Sequence, residues 1–396
     1  MLRLAVILGL LSAVGPFAID MYLPAMPAIA SDLFVDPAAV QGTLIAYFVG
    51  FGLAQLVYGP WSDQAGRKLP LFVGLALFAA ASVGCALAQT VEGLMAYRML
   101  QGLGGAVLLI VPRAVIRDLY TGPDAMRLMA LVMLVVSVSP MIAPLVGSGL
   151  MAFGPWSLIF WALALAAAAS LGVTATLLPE TLDRQNRSPI NLRQLLKDAL
   201  FLLRDPVFMG LTLIGGFGFG SFMVFIASAS FVYSGQFGLS PTGFSLAFAV
   251  NALGFFAASQ LAAPLGARLG PVPVIRFAVA GFAAATLMLL AATAAGWGTL
   301  PIIIAGLFLA NACLGLVIPT TMVMALDPHG QIAGLASSLG GTLQMLTGGM
   351  MVALSGLLFD GTALPMIAAI AACAVLTFCV ALPTLRSLTN AVTHGH

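Results

Sequence analysis

The chain has 396 residues, of which 61% are hydrophobic and only 7% charged, and its mean hydropathy is +1.10. Soluble domains carry about a quarter charged residues, so this composition excludes a water-soluble globular protein and indicates that lipid is the solvent. The net charge of +2 comes from basic residues that occur singly between apolar segments, which argues against a nucleic-acid-binding face.

Apolar runs of about 20 residues, rather than alternating runs of about 10, predict membrane-spanning helices and not a β-barrel. The breaks between these runs predict twelve spans, near 4–26, 40–60, 69–89, 93–115, 126–152, 156–178, 207–232, 242–266, 273–294, 300–324, 331–357 and 363–384. The break at 153–156 is so short that its two neighbours can also be read as one long kinked helix. The first run begins like a signal peptide but is longer than a signal h-region, so we interpret it as the first span.

Two ionisable residues lie well inside predicted spans, Asp20 in the first and Arg98 in the fourth. A charge in the membrane is costly unless it is paired or faces water. Counting about 1.5 Å per residue from the outer helix ends places both at one depth, in the outer half of the membrane. Pro16 and Pro24 flank Asp20 and should bend its helix. Asp20 is therefore a candidate proton-titrating carboxylate, and the alternative is a static pair with Arg98 that orients the two helices.

The loop between the second and third spans contains a single acid, Asp63, between Gly59 and Gly66. A solvated turn on the cytoplasmic side explains the neighbouring Arg67 and Lys68 but does not explain Asp63. More charged residues are expected nearby, at the inner end of the fourth span: Arg113, Arg117 and Asp118. These residues predict a cluster of charges at one end of the molecule.

Small residues and prolines are concentrated in the fifth span, which should let helix backbones pack closely. They are Ser137, Ser139, Pro140, Pro144, Gly147, Ser148 and Gly149. Candidate substrate contacts are Tyr22, which is next to Asp20, Gln101 in the fourth span, and Asn311, an amide in the tenth. Aromatic and polar side chains mixed in one cavity suit partly hydrophobic ligands.

The long polar stretch 179–206 separates the sixth and seventh spans and divides the chain into two six-helix halves, 1–178 and 207–396. Within it, 190–204 predicts either a short amphipathic helix on the membrane surface or a solvated linker. A weak repeat between 59–66 and 263–270, at equivalent places in both halves, supports the division.

The positive-inside rule gives the orientation. With the N-terminus inside, the predicted cytoplasmic segments hold fourteen of the fifteen basic residues, and the remaining one is Arg98. The even number of spans then places both termini in the cytoplasm.

Four motifs resemble those of the major facilitator superfamily, and within it the drug:proton antiporters of the bicyclomycin- and chloramphenicol-resistance branch. The segment 59–68 is similar to the superfamily's G-x-L-x-D-x-x-G-R-K loop, except for Pro60 and Trp61. The segment 20–27 is similar to D-x-Y-L-P-x-x-P, and 98–102 to R-x-x-Q-G. The segment 143–148 resembles the antiporter motif G-P-x-x-G-G, with Ala143 and Ser148 in place of two glycines.

The resemblance implies an all-α membrane protein with twelve transmembrane helices in two six-helix halves. It implies proton-driven export of small, partly hydrophobic drugs such as phenicols or bicyclomycin-like molecules by alternating access, with Asp20 and Arg98 in proton coupling. It implies a cytoplasmic gate formed by Asp63, Gly66, Arg67, Arg117 and Asp118, in which Asp63 contacts the start of the eleventh span near Gln331. Pro144 and Gly147 would belong to the antiporter motif, whose contact with the eighth span limits proton leak.

Other activities fit the sequence less well. The chain has no Walker lysine motif to bind ATP and no H-E-x-x-H, and its histidines, including His396, lie outside the predicted spans. We therefore expect no enzyme activity, catalytic residues, cofactor or metal. The expected partners are a small-molecule substrate, protons and membrane lipid, with no nucleic acid, for a monomer in the inner membrane. Proton-coupled uptake or export of a metabolite remains the alternative.

Overall fold

The computed structural model describes residues 2–120, 122–187 and 191–394, and all regular structure in them is helical. Residues 188–190 of the predicted linker and His396 lie outside the described residues. The helices are α1 (Leu2–Asp20), α2 (Met26–Asp32), α3 (Pro37–Ala65), α4 (Lys68–Ala86), α5 (Val91–Gly105), α6 (Val107–Leu119), α7 (Gly122–Met151), α8 (Ser157–Thr176), α9 (Leu192–Arg204), α10 (Pro206–Phe231), α11 (Pro241–Leu269), α12 (Pro271–Ala292), α13 (Leu300–Leu326), α14 (Ala333–Gly356) and α15 (Ala363–His394).

The predicted number of spans is confirmed. In the described residues, 11 helical stretches are long and apolar enough to cross a membrane. One of them, Leu300–Gly356, contains two helices, α13 and α14, which a 3₁₀ turn at Asp327–Ile332 joins, so the spans number twelve. The short break at 153–156 is also confirmed, because α7 ends at Met151 and α8 begins at Ser157.

Two of the spans are interrupted. The first consists of α1 and α2, joined through a 3₁₀ turn at Leu23–Ala25, and the fourth consists of α5 and α6, which meet at Ala106. Pro16 is accommodated inside α1, whereas Pro24 lies in the 3₁₀ turn. The predicted distortion is therefore located on the C-terminal side of Asp20, which is the last residue of α1.

The chain forms two compact units, Met1–Leu192 and Arg193–His396. In the first unit α3 packs on α5, α4 on α8, and α1 on α7. The Trp156 indole donates a hydrogen bond of 2.9 Å to Asp32, which ties the start of α8 to the end of α2.

In the second unit α10 packs on α14 and α15, and α13 packs on α11 and α12. Two stacked ring pairs join α10 to α11, Phe225 with Phe248 and Phe222 with Phe255. At the other end of α10 a buried histidine, His329, joins the turn before α14 to the start of α10.

The His329 ring lies between two hydrogen-bond acceptors. Its Nδ1 is 3.0 Å from the Ala325 carbonyl and its Nε2 is 3.1 Å from an Asp205 carboxylate oxygen. A neutral imidazole has one N–H, so only the protonated ring can donate to both. The other Asp205 oxygen accepts from the backbone N–H groups of Val207 and Phe208 and caps α10. This carboxylate therefore fixes both the start of α10 and the loop before α14.

Candidate functional site

The first part of the candidate site is the end of α1. Asp20 is 4% exposed, and among the carboxylates in the described part of the chain it alone is buried. No cationic nitrogen of the described residues lies within 4.0 Å of it. Because the helix stops immediately after Asp20, this carboxylate lies at a discontinuity of the span rather than in its regular part.

Arg98 in α5 is completely buried, and no carboxylate in the described part of the chain pairs with it. Its Nη1 donates to the Ala18 carbonyl at 3.0 Å and to the Gln101 side-chain oxygen at 2.5 Å. Three aromatic rings surround the guanidinium, with centroids at 4.7 Å for Tyr22, 4.5 Å for Tyr47 and 5.9 Å for Phe160. Ring faces attract cations, so this cage partly replaces the missing counter-ion.

Two of the predicted substrate contacts belong to this cage. The Gln101 amide donates to Ser82 at 2.7 Å, and its oxygen accepts from Arg98. The Tyr22 hydroxyl is 2.7 Å from Thr43 Oγ1; since Thr43 itself donates to the Val40 carbonyl, Tyr22 must be the donor. In this structure Tyr22 and Gln101 therefore orient Arg98, and their polar groups are already occupied.

The structure joins Arg98 to the first span through a backbone carbonyl, two residues before Asp20, rather than through an Asp20–Arg98 ion pair. Two guanidinium nitrogens, Nε and Nη2, have no hydrogen-bond partner in the described structure. Arg98 therefore has two unpaired hydrogen-bond donors next to the break in the first span.

Gly147, in the segment that resembles the antiporter motif, packs against this same break. A Cβ on Gly147 would collide with the backbone of Met21, the residue after Asp20. Only glycine lets α7 approach the chain so closely at this point. The contact of this motif with the eighth span, which the resemblance implies, stays a prediction, as does a role for Pro144.

We expect Gly147→Ala to lower the thermal unfolding midpoint and transport, because the added methyl must displace the backbone beside Asp20. Gly149→Ala, two residues further along α7, is the matched control, since a Cβ there meets nothing within 4 Å. In a helix alanine is favoured over glycine by about 0.5–1 kcal/mol, so the control should be neutral or slightly stabilising. Equal behaviour of the two purified variants in a thermal-shift assay would contradict the close contact.

The second part of the candidate site is the loop that joins α3 to α4, where Arg67 is the central residue. Its guanidinium binds Asp118 in two places, through Nε at 2.8 Å and Nη2 at 3.0 Å, and it binds Asp63 through Nη1 at 2.6 Å. Burial alone would lower the pKa of Arg67, but these bonds to Asp118 and Asp63 raise it. Of the predicted gate residues, Asp63, Arg67 and Asp118 are thus brought together, whereas the Arg117 side chain is exposed.

Glu180, which follows the sixth span, completes this cluster and was not predicted from the sequence. Its carboxylate accepts from the backbone N–H groups of Arg67 at 2.8 Å and Lys68 at 3.2 Å. Gly66 makes this possible: its φ of 93° is disfavoured for other residues, and a Cβ there would lie 2.6 Å from a Glu180 oxygen. Thr181 adds a 2.9 Å bond to Asp118. Glu180 is the first of two acids, with Asp183, that follow the sixth span, on the same predicted side of the membrane as the basic residues Arg67 and Lys68. This is the only signal in the sequence.

The pKa of Glu180 predicts that the stability of the folded protein depends on pH. Partial desolvation would raise its pKa, but the N–H groups of Arg67, Leu182, Lys68 and Thr181 stabilise the ionised form and hold the pKa below the ordinary 4.5. The stabilisation is therefore complete above that value and is lost as the pH falls through the lower folded-state pKa.

We expect wild-type protein to melt at a higher temperature than Glu180→Gln at neutral pH, and the difference to shrink once the pH is below 4.5. Glu92→Gln, the exposed glutamate in the first turn of α5, is the control. A difference that stays constant with pH would show that the charge of Glu180 contributes nothing.

The third predicted substrate contact, Asn311, lies in the second unit. It is 4% exposed in α13, and its amide nitrogen has no hydrogen-bond partner in the described structure. Its neighbours Ala310 and Leu314 belong to an apolar cluster. An unpaired buried donor is costly, which is consistent with a group that binds an acceptor on a ligand.

Comparisons with known proteins agree with this description. The family model described as Major Facilitator Superfamily matches residues 8–350. The chain is 36% identical over 367 residues to an uncharacterized MFS-type transporter, YdgK, of Bacillus subtilis, covering 92% of this chain and 91% of that one. It is 30% identical over 370 residues to a bicyclomycin resistance protein homolog of Haemophilus influenzae, covering 93% of each.

A solved structure shares the architecture. The crystal structure of the nucleoside transporter NupG matches with a TM-score of 0.77 over 97% of this chain and 99% of that one. The sequences are 14% identical, so this likeness concerns the fold alone.

Proposed function

Since the chain belongs to the Major Facilitator Superfamily, a family of membrane transporters, we propose that it exports small, partly hydrophobic compounds in exchange for protons by alternating access. The observation that carries the proposal is the buried carboxylate of Asp20 at the break in the first span, two residues after the Ala18 carbonyl that binds the caged guanidinium of Arg98. A site that binds and releases protons needs a group that can change charge inside the membrane, and Asp20 is the buried acid of the described chain.

Asp20 is the proton-carrying group in this proposal, and Arg98 is a positioning residue. Arg98 is fixed by Gln101 and Tyr47, and its two unpaired nitrogens can receive Asp20 or a substrate oxygen in another state of the cycle. Asn311, with its unpaired amide nitrogen, is the proposed substrate contact in the second unit. Tyr22 and Gln101, whose polar groups are occupied in this structure, are the proposed contacts of the first unit in another state of the cycle. The name of the Haemophilus influenzae relative favours bicyclomycin-like molecules as substrates, and the resemblance of the motifs adds phenicols.

The loop cluster around Arg67 is the proposed cytoplasmic gate. In it one arginine makes three hydrogen bonds to two carboxylates. Such a connected network behaves as one cooperative unit, which a solvated turn does not. In this proposal both chain termini lie in the cytoplasm, and the protein is a monomer in the inner membrane of the cell.

Two measurements test the proposal. Expression in an efflux-deficient host should raise resistance to some members of a drug panel, and purified protein should release protons when one of those drugs is added. Resistance without proton release would show export that is not coupled to proton exchange. If the protein causes neither resistance nor proton release, drug export is contradicted.

The second candidate is proton-coupled transport of a small metabolite. Ala143 and Ser148, which replace two glycines of the antiporter motif, favour it. A panel of metabolites in place of drugs, with uptake and export measured in vesicles, distinguishes the two.

A further inference from the structure

The helix α9 presents a strip of leucines that the described residues of the protein leave exposed. Leu192, Leu196, Leu200 and Leu203 are 63%, 59%, 46% and 42% exposed. At about 100° per residue they lie on one side of the helix, within an arc of about 80°. The side that faces the protein is different, since Leu202 is fully buried there. Phe201 lies between these two sides: it is 59% exposed, and its ring contacts His329.

Basic residues border the leucine strip along one edge. Arg193, Lys197 and Arg204 fall within about 60° of its Leu200 edge on the helical wheel. The one acid of α9, Asp198, lies on the far side, bonded to Gln194. Three cations against one acid give the helix a positive flank beside its apolar strip.

The position of α9 in the chain says what covers the strip. Arg204 is followed by Asp205, which caps α10, and Pro206 begins a membrane span. The end of α9 is therefore at the boundary of the bilayer. An apolar strip flanked by cations is the pattern of a helix that lies in the membrane interface and binds anionic lipid headgroups.

We propose that α9 is a lipid-binding element whose leucine strip inserts into the cytoplasmic membrane interface while Arg193, Lys197 and Arg204 bind anionic headgroups. The helix would anchor the start of α10 and, through Phe201 and His329, the loop before α14. The proposal concerns lipid binding and is independent of the transported substrate.

The test uses the full-length protein with its four cysteines replaced and one fluorophore attached through Leu200→Cys. The matched control is Gln194→Cys, on another face of the same helix. Both proteins are placed in vesicles of phosphatidylcholine, with or without phosphatidylglycerol, and exposed to a spin-labelled lipid or to aqueous iodide as quencher.

In vesicles with phosphatidylglycerol we expect the spin-labelled lipid to quench the fluorophore at residue 200 at least about twofold more than at residue 194, and iodide to show the opposite order. Replacing Arg193, Lys197 and Arg204 by glutamine, or removing phosphatidylglycerol, should reduce the lipid quenching. Equal iodide quenching at both sites would overturn the proposal in favour of a solvated linker. Protection from both quenchers would overturn it in favour of cover by protein, and quenching that does not depend on phosphatidylglycerol would exclude headgroup recognition.

Discussion

Replacing Asp20 by asparagine is expected to abolish proton-driven export while leaving the protein folded in the membrane. Asparagine has nearly the same shape but cannot gain or lose a proton at any relevant pH, so the coupling step has no carrier. Removing a charge from a buried site adds no insertion penalty. Drug accumulation in vesicles with a pH gradient should fall to the level of vesicles without protein, and substrate-triggered proton release should disappear.

Asp36→Asn is the matched control, because it removes an equal charge from an exposed position at the start of α3. It should transport normally. Substrate binding by Asp20→Asn, measured at equilibrium, should remain, which separates lost coupling from lost folding. If Asp20→Asn still accumulates drug against the drug's concentration gradient, another group carries the proton.

The second large effect is expected at the loop cluster, where Asp118→Asn should impair transport more than Asp63→Asn. Asp118 binds Arg67 through two nitrogens and is 13% exposed, whereas Asp63 makes one contact and is 54% exposed. Charged hydrogen bonds in protected surroundings contribute about 1.5–3 kcal/mol, and exposed ion pairs about 0.2–1 kcal/mol. On that basis Asp118→Asn should slow transport by roughly tenfold or more, and Asp63→Asn by a few-fold.

Transport and drug binding in the two variants are the measurements, with Asp124→Asn, an exposed acid in the first turn of α7, as control. Binding should survive in all three because the cluster lies outside the spans that hold Asp20 and Asn311. Equal effects at Asp63 and Asp118 would contradict the ranking, and normal transport in both would leave the loop as a topological turn.

Hydropathy alone predicted the twelve spans, because runs of apolar residues broken by glycine, proline and charge are a local signal. The buried charges Asp20 and Arg98 were found for the same reason, since an ionisable residue stands out in such a run. The cage around Arg98 was not predicted. Tyr47, Ser82 and Phe160 are unremarkable in an apolar sequence, and only packing brings them to one guanidinium.

Two contacts could not be predicted because they join residues that are far apart in the sequence. Glu180 accepts a hydrogen bond from the backbone N–H of Arg67, 113 positions away in the sequence. The turn at Gly66 that directs this N–H toward Glu180 depends on a positive φ, which the sequence alone does not specify. Asp205 and His329 likewise come from distant loops. The segment 179–206 is polar, a composition typical of a solvated linker. The contact of its first residues with the α3–α4 loop could therefore not be predicted from composition.

Among the described residues Arg98 has no carboxylate partner, and this bears on the electrical balance of the transport cycle. Carbonyl, amide and ring contacts hold the guanidinium, so its charge does not depend on whether Asp20 is protonated. Under the proposed exchange this centre then carries one proton per turnover. With a neutral drug the exchange moves one net charge and is electrogenic, so a membrane potential drives it with about 2.3 kcal/mol per 100 mV in addition to the pH gradient. With a monovalent cationic drug the same exchange is electroneutral and depends on the pH gradient alone.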